Sequence, residues 1–286
     1  MAASHANGAD RRRRLGIFAK TFERPSVEDV FAAVAGHGLA TVQFNMASAG
    51  LETVPEAVPD DLARAIAGAA SRRGIAIAAL SGTVNLIHPD SATRREGLVR
   101  LRRLIASAGA LGTGIVTLCT GTRDPLDPWR AHPDNDRPAA WDDLVESLGA
   151  ALEAAAAAGI VLGVEPEPGN VASSAQKARR LLDEMASRHL GIVLDPANLL
   201  EECTAAASRA KIDEALDRLG ADVVLAHAKD RDRQGTVRPP GQGVVDFRHF
   251  VAGLDRVGFG GAIVMHGFAE ADVDDAAAHL RPLLEA

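Results

Sequence analysis

Eight short aliphatic runs alternate with eight longer stretches of helical period, and that alternation leaves the chain few ways to fold. The runs that read as strands are Leu15 to Ala19, Thr41 to Asn45, Ile75 to Leu80, Gly114 to Cys119, Ile160 to Glu165, Gly191 to Asp195, Val223 to His227 and Ala262 to His266. Helical spacing covers Ser26 to Ala35, Pro59 to Arg73, Ser91 to Leu111, Ala139 to Ala158, Ser173 to Ser187, Ala205 to Leu219, Asp246 to Val257 and Ala271 to Leu284. Several of these end just before a glycine, as at Gly36, Gly74, Gly159 and Gly220, the usual punctuation of a helix stop. Strict β-α repetition demands parallel strands with right-handed crossovers, either closed into a barrel or open as a doubly wound sheet. An open sheet usually carries a Gly-rich phosphate turn after its first strand, and here that position reads Lys20-Thr21-Phe22-Glu23-Arg24-Pro25. The expected fold is therefore α/β, a single-domain (β/α)8 TIM barrel over residues 15–286 behind a disordered polar and basic leader, residues 1–14, that holds Arg11 to Arg14.

Composition agrees with one large domain: 286 residues, 47% hydrophobic and 24% charged, against about 250 residues for a typical barrel of this kind. The net charge of -7 disfavours sequence-independent binding to nucleic acid. Only Cys119 and Cys203 are present, too few for a disulfide framework, which points to a reducing compartment. No run approaches the roughly 20 apolar residues that cross a bilayer, and the first ten residues lack the apolar centre of a signal peptide. A cytoplasmic protein that acts on a small molecule is expected, with neither membrane nor nucleic acid as partner and with a homo-oligomer left open.

Four successive strands end on side chains that can bind metal or move protons: Glu165, Asp195, His227 and His266. The mouth of a parallel barrel is where such ends converge, and a mix of carboxylate oxygens and imidazole nitrogens suits a divalent ion. Glu165-Pro166-Glu167-Pro168 keeps Glu165 extended at the strand tip, with Glu167 either a second acid/base or a carboxylate of the loop. Asn198, three residues past Asp195, either meets a ligand or caps the next helix. Lys229, one of only four lysines, follows His227 closely enough to hold an anionic oxygen, and Asp230 beside it can orient either one or meet substrate. Gln43 at the end of the second strand, Asn85 and His88 after the third, and Arg123 and His132 in the long loop from Thr120 to Pro138 are further candidates for sugar hydroxyls or an anion. The Trp and paired charges of that loop favour an ordered lid.

The stretches Val164-Glu165-Pro166-Glu167, Leu194-Asp195-Pro196-Ala197-Asn198, His227-Ala228-Lys229-Asp230, Pro240-Gly241-Gln242-Gly243 and Gly258-Phe259-Gly260-Gly261 carry a resemblance. The chain resembles the xylose isomerase-like barrel superfamily, in particular its sugar phosphate isomerase/epimerase branch, which includes tagatose epimerases, hydroxypyruvate isomerases and inosose dehydratases. The likeness covers the second half of the barrel best. It implies one divalent ion (Mn, Mg, Co or Zn) on Glu165, Asp195 and His227, a carbohydrate substrate, and proton transfer next to a carbonyl through an enediolate. The family's fourth ligand is a strand-eight Glu that shares the proton work with the strand-five Glu; this chain has His266 there. Three outcomes are open: His266 ligates while Glu165 or Glu167 carries the proton, His266 is the base beside a three-ligand ion, or catalysis is lost. Glu270 is a candidate to replace the missing carboxylate. The expected activity is a metal-dependent isomerase or epimerase of a sugar, keto-sugar or polyol derivative. Its rivals are a dehydratase or lyase on the same barrel, a sugar-binding barrel without catalysis, and a relative of apurinic-site endonucleases, which the acidic charge opposes.

Overall fold

The computed structural model of the protein describes residues 15–200 and 204–285. The leader with Arg11 to Arg14, and Cys203, lie outside the described residues. The eight expected strands form, at β1 Leu15–Phe18, β2 Thr41–Phe44, β3 Ala76–Ser81, β4 Ile115–Cys119, β5 Val161–Glu165, β6 Leu190–Leu194, β7 Val223–Ala228 and β8 Ile263–Met265. They are parallel and close into one barrel, with β1 bonded to both β2 and β8. The helices between and after them are α1 Val27–Gly36, α2 Asp60–Arg72, α3 Ser91–Ser107, α4 Pro138–Ala158, α5 Ala175–Met185, α6 Ala205–Leu219, α7 Phe247–Arg256 and α8 Val273–Leu284. Their starts are capped by side chains that take up otherwise orphaned amides: Ser26, Asp90, Ser174, Thr204 and Asp246 each accept a backbone N–H of the first turn. Helix α3 stops four residues before the expected Leu111, because residues 108–112 turn back through Gly112, whose φ is +82°. Among the described residues no helix is long and apolar enough to cross a membrane.

Successive side chains of a strand point to opposite faces, so each strand serves two cores. The outward residues, such as Leu162, Ile192, Ala226 and Met265, join the large apolar layer beneath the helices. The inward residues Ala79, Val193, Leu225 and Val264 form a separate small plug inside the barrel. Two residues further along the same inward face stand Ser81, Asp195, His227 and His266.

At the floor of the barrel the register slips once between β6 and β7: Ile192 pairs with Val223 but Val193 pairs with Leu225, leaving Val224 as an extra residue. Its side chain fills space that Gly163 and Gly191 leave open, since a Cβ on Gly191 would stand 2.5 Å from Val224 Cγ1 and 3.0 Å from the Asp222 carbonyl, and one on Gly163 would stand 3.2 Å from Val224 Cγ2. Gly191→Ala is therefore expected to destabilise the barrel by about 1–3 kcal/mol, as overpacking does. Urea denaturation checks this, and adding Val224→Ala should restore most of the loss.

Candidate metal centre

Four inward strand-end groups meet at the mouth. One ligand-capable atom from each of Glu165, Asp195, His227 and His266 lies within 4.8 Å of all the others. Glu165, Asp195 and His227 are buried and His266 is half-buried. The His227 and His266 rings stand 4.4 Å apart, centroid to centroid, and Phe18 packs behind His266 at 6.2 Å.

Each ring and carboxylate is held by a specific neighbour. Gln43 reaches across from β2, donating through Nε2 to Ser81 Oγ and Thr117 Oγ1, each at 3.0 Å, and its Oε1 accepts from His227 Nε2 at 2.7 Å. An amide oxygen only accepts, so His227 carries a proton on Nε2 and, in the neutral ring, a lone pair on Nδ1. That buried Nδ1 has no hydrogen-bond partner and faces Glu165 Oε1 at 3.2 Å. With the ring neutral, two electron-rich atoms face each other in a dry site, an arrangement satisfied by a proton on Nδ1 donated to Glu165 or by a metal cation between them. Asn198 donates from Nδ2 to Glu165 Oε1 at 2.8 Å and leaves its own buried Oδ1 unpartnered. It thus neither caps a helix nor stands apart from the ligand set.

Asp195 Oδ1 accepts from the Ala197 amide at 2.9 Å, while Oδ2 meets Lys229 Nζ at 3.2 Å and His266 Nε2 at 3.0 Å. Burial pushes the Asp195 carboxyl up, but Lys229, His266 and His227 outweigh it and hold it well below the usual carboxylate range. Burial and the neighbouring His227 push His266 down to about 4, so at neutral pH the ring is neutral and donates from Nε2 to the Asp195 carboxylate. Glu165 is likewise kept ionised: burial opposes its charge, and His227 and Lys229 more than compensate.

Glu167 completes a second cluster. An oxygen of Glu165, one of Glu167 and Cys119 Sγ lie within 4.8 Å of one another. Burial, then the charge on Glu165, pushes Glu167 up to about 8, so one carboxyl of this pair is charged and the other holds a proton at neutral pH. Burial and the same two carboxylates push the Cys119 thiol well up, which makes it an inert lining group.

The structure separates the remaining sequence candidates. Gln43, Lys229 and Glu167 line a cavity of about 980 Å³ together with Lys20, Trp129, Arg231, Val237 and Phe268. Asn85, His88, Arg123 and His132 do not line it. Asn85 braces the chain, accepting from the Ile87 and Thr122 amides and donating to the Thr122 carbonyl. Arg123 ties Ile87, Ala139 and Asp143 together, and His88 and His132 close turns on the amides of Asp90 and Asp134. The structure thus places these four in the bracing of the loops after β3 and β4 and not on the cavity wall, since short-range polarity marks a turn as readily as a site. Glu270 pairs with Arg24 at the surface and does not replace the absent carboxylate.

Asp230 is a brace as well. Both its oxygens are taken by backbone: Oδ1 accepts from Arg231 and Val245 and Oδ2 from Gly241 and Gly243, all between 2.8 and 3.1 Å. It staples the loop after β7, whose two-residue strands Asp230–Arg231 and Val237–Arg238 pair as a hairpin that sequence reading missed. The signal was present in Asp232, whose side chain accepts from the Gln234 and Thr236 amides ahead of the turn at Gly235. Trp129 was read only as part of a lid. Its loop is fixed by Asn170, which donates to the Pro128 carbonyl, and by Thr122, which donates to the Arg130 carbonyl.

The model of the xylose isomerase-like TIM barrel matches residues 31–283. The chain belongs to that family. Among solved structures it is similar to the 3-keto-D-glucoside 4-epimerase of E. coli, at 18% identity over 94% of this chain and 99% of that one, TM-score 0.72. It is also similar to D-psicose 3-epimerase of Clostridium cellulolyticum H10, at 16% identity over 96% and 100%, TM-score 0.72. A D-tagatose 3-epimerase-like protein superposes with TM-score 0.75 at 15% identity, over 95% of this chain and 97% of that one. No curated protein matches the sequence. At these identities the solved structures speak for the fold, and the chemistry rests on the residues of this chain.

Removing the Asp230 carboxylate leaves four backbone amides without an acceptor. Asp230→Ala is expected to cost about 3 kcal/mol of stability and to open residues 228–245 to limited proteolysis. Mass spectrometry of the first cleavage products checks the location.

Proposed function

We propose that the protein is a divalent-metal-dependent isomerase or epimerase of a sugar, keto-sugar or polyol derivative, working by proton transfer next to a carbonyl. The observation that carries this is the buried His227 Nδ1, unpartnered and facing Glu165 Oε1, inside a set of four convergent ligand groups. Glu165, Asp195, His227 and His266 would hold the ion, which supplies Lewis-acid polarisation of a carbonyl when bound. To ligate through Nε2, His266 must give up its hydrogen bond to Asp195 and carry its proton on Nδ1 instead.

The chain's own residues then divide the remaining work. Gln43 fixes the tautomer of His227, and Asn198 orients Glu165. Lys229, buried against Asp195 and charged, stands where it can offset negative charge on a substrate oxygen. Glu165 as carboxylate and Glu167 as carboxylic acid form an acid/base pair, one able to take a proton from carbon and the other able to give one. Both issue from the end of β5, so removal and return occur from one side of the substrate. That geometry favours isomerisation, which shifts a proton along one face, over epimerisation, which must return it to the other. It equally allows a lyase, in which protonated Glu167 assists departure of a β-substituent. We place the enzyme in the cytoplasm, with a small carbohydrate as its partner.

Incubation of the Mn²⁺-loaded protein with a panel of ketoses and aldoses in D₂O tests the proposal. Deuterium at the carbon next to the carbonyl without loss of water is expected. Glu165→Gln should slow exchange by about 10²–10⁴-fold, the range of general base catalysis. Chelation of the metal should abolish exchange, and exchange that survives both changes would overturn the assignment. Loss of water in place of exchange identifies the lyase.

A further inference from the structure

Three cations line the cavity, and two of them are not used by the ligand set. Lys229 is bound to Asp195. Lys20 and Arg231 have no carboxylate partner among the described residues. Lys20 Nζ lies 5.3 Å from the centroid of the Phe18 ring, and the Arg231 side chain makes one long bond, 3.4 Å from Nη1 to the Gly235 carbonyl. The buried Arg231 Nε has no acceptor at all. A guanidinium N–H left without an acceptor in a buried position costs free energy unless a ligand or water takes it.

Their placement in the fold is specific. Lys20 lies in the turn after β1 and Arg231 in the hairpin after β7, and β1 and β7 are the two neighbours of β8. The two cations therefore flank His266 and Phe268, while Glu165, Glu167 and Trp129 rise from β5 and the loop after β4. At about 980 Å³ the cavity stands at the upper end of the roughly 300–1,000 Å³ that receives drug-sized ligands, more than one sugar ring requires. In a chain of net charge -7, uncompensated cations at the mouth draw anions to a place from which most of the surface repels them.

We propose that the substrate carries an anionic group, a carboxylate or a phosphate, on the end remote from its reacting carbonyl, and that Lys20 and Arg231 bind it. This rests on the isomerase reading above and makes the two cations determinants of specificity. Arg231 offers the planar fork that pairs with either oxyanion, and Lys20 adds a point charge on the other side of β8.

The test is calorimetric and needs no turnover: D-fructose, D-fructose 6-phosphate and D-glucuronate are titrated into the Mg²⁺-loaded protein. At least one anionic sugar should bind about tenfold or more tightly than fructose, as charge-assisted bonds allow, and which one does so tells phosphate from carboxylate. The double variant Lys20→Ala/Arg231→Ala should lose that gap while keeping its affinity for fructose. In the unaltered protein, raising NaCl from about 20 mM to about 300 mM should narrow the gap, because the rim charges are open to screening. A gap that survives in the double variant comes from the ion itself and overturns the inference. Equal binding of all three sugars also overturns it and leaves the isomerase reading standing, whereas failure of every sugar to bind overturns both.

Discussion

The two-residue period of the inward strand face is the constraint on which the rest of the structure depends. On β6, β7 and β8 the residue that plugs the barrel, Val193, Leu225 or Val264, is followed two places later by the group at the mouth, Asp195, His227 or His266. Core and site are thus fixed by one register. A slip of one residue on any of these strands would turn a ligand into the apolar layer beneath the helices and a large aliphatic into the mouth. The bulge that introduces Val224 lies below this point, on the floor of the barrel, and fills the space left by Gly163 and Gly191 without disturbing the upper residues.

Above the plug, the site is stabilised by polar groups arranged across the barrel. Gln43, Ser81 and Thr117 come from β2, β3 and β4, yet their hydrogen bonds decide which nitrogen of His227 on β7 carries the proton. Asn198, Lys229 and the Ala197 amide do the same for Glu165 and Asp195. Of the four buried side-chain atoms without a partner among the described residues, His227 Nδ1 and Asn198 Oδ1 belong to this cluster and Arg231 Nε to a residue lining the cavity above it, with Ser48 Oγ the exception. Unsatisfied polarity in a well-bonded interior is costly, and its concentration here marks where a ligand is required.

The fold was legible in the sequence because it depends on local signals. Aliphatic runs, caps such as Ser26 and Thr204, and glycines past helix ends are read within a few residues, and the eight strands fall within one or two residues of their expected bounds. The convergence of Glu165, Asp195, His227 and His266 was legible for the same reason, since strand ends in a barrel share one face. What escaped was direction within loops. Asn85, Arg123 and Asp230 are polar residues near the mouth, and only tertiary structure shows that they bind the backbone of residues 15 or more positions away, at Thr122, Ala139 and Val245. The partner of His227 is 184 residues distant in Gln43, beyond the reach of any motif.

His266 gives this barrel a charge balance unlike that of a site with a carboxylate on β8. Glu165 and Asp195 bring two negative charges, Lys229 one positive, and neutral His266 none. With a divalent ion present the cluster is left one unit positive, where a third carboxylate would have made it neutral. A positive balance in a buried site favours negative charge developing on substrate oxygen and opposes its return to neutrality. In the proposed reaction the imidazole would therefore strengthen stabilisation of an oxyanion while giving up a carboxylate base on that side. In the proposed reaction the proton work falls to β5, where burial and the neighbouring charge keep Glu167 protonated beside ionised Glu165. On that proposal, having an imidazole in place of a carboxylate on β8 alters both the charge of the site and the face available for acid/base chemistry, so the two changes are consequences of the same side chain.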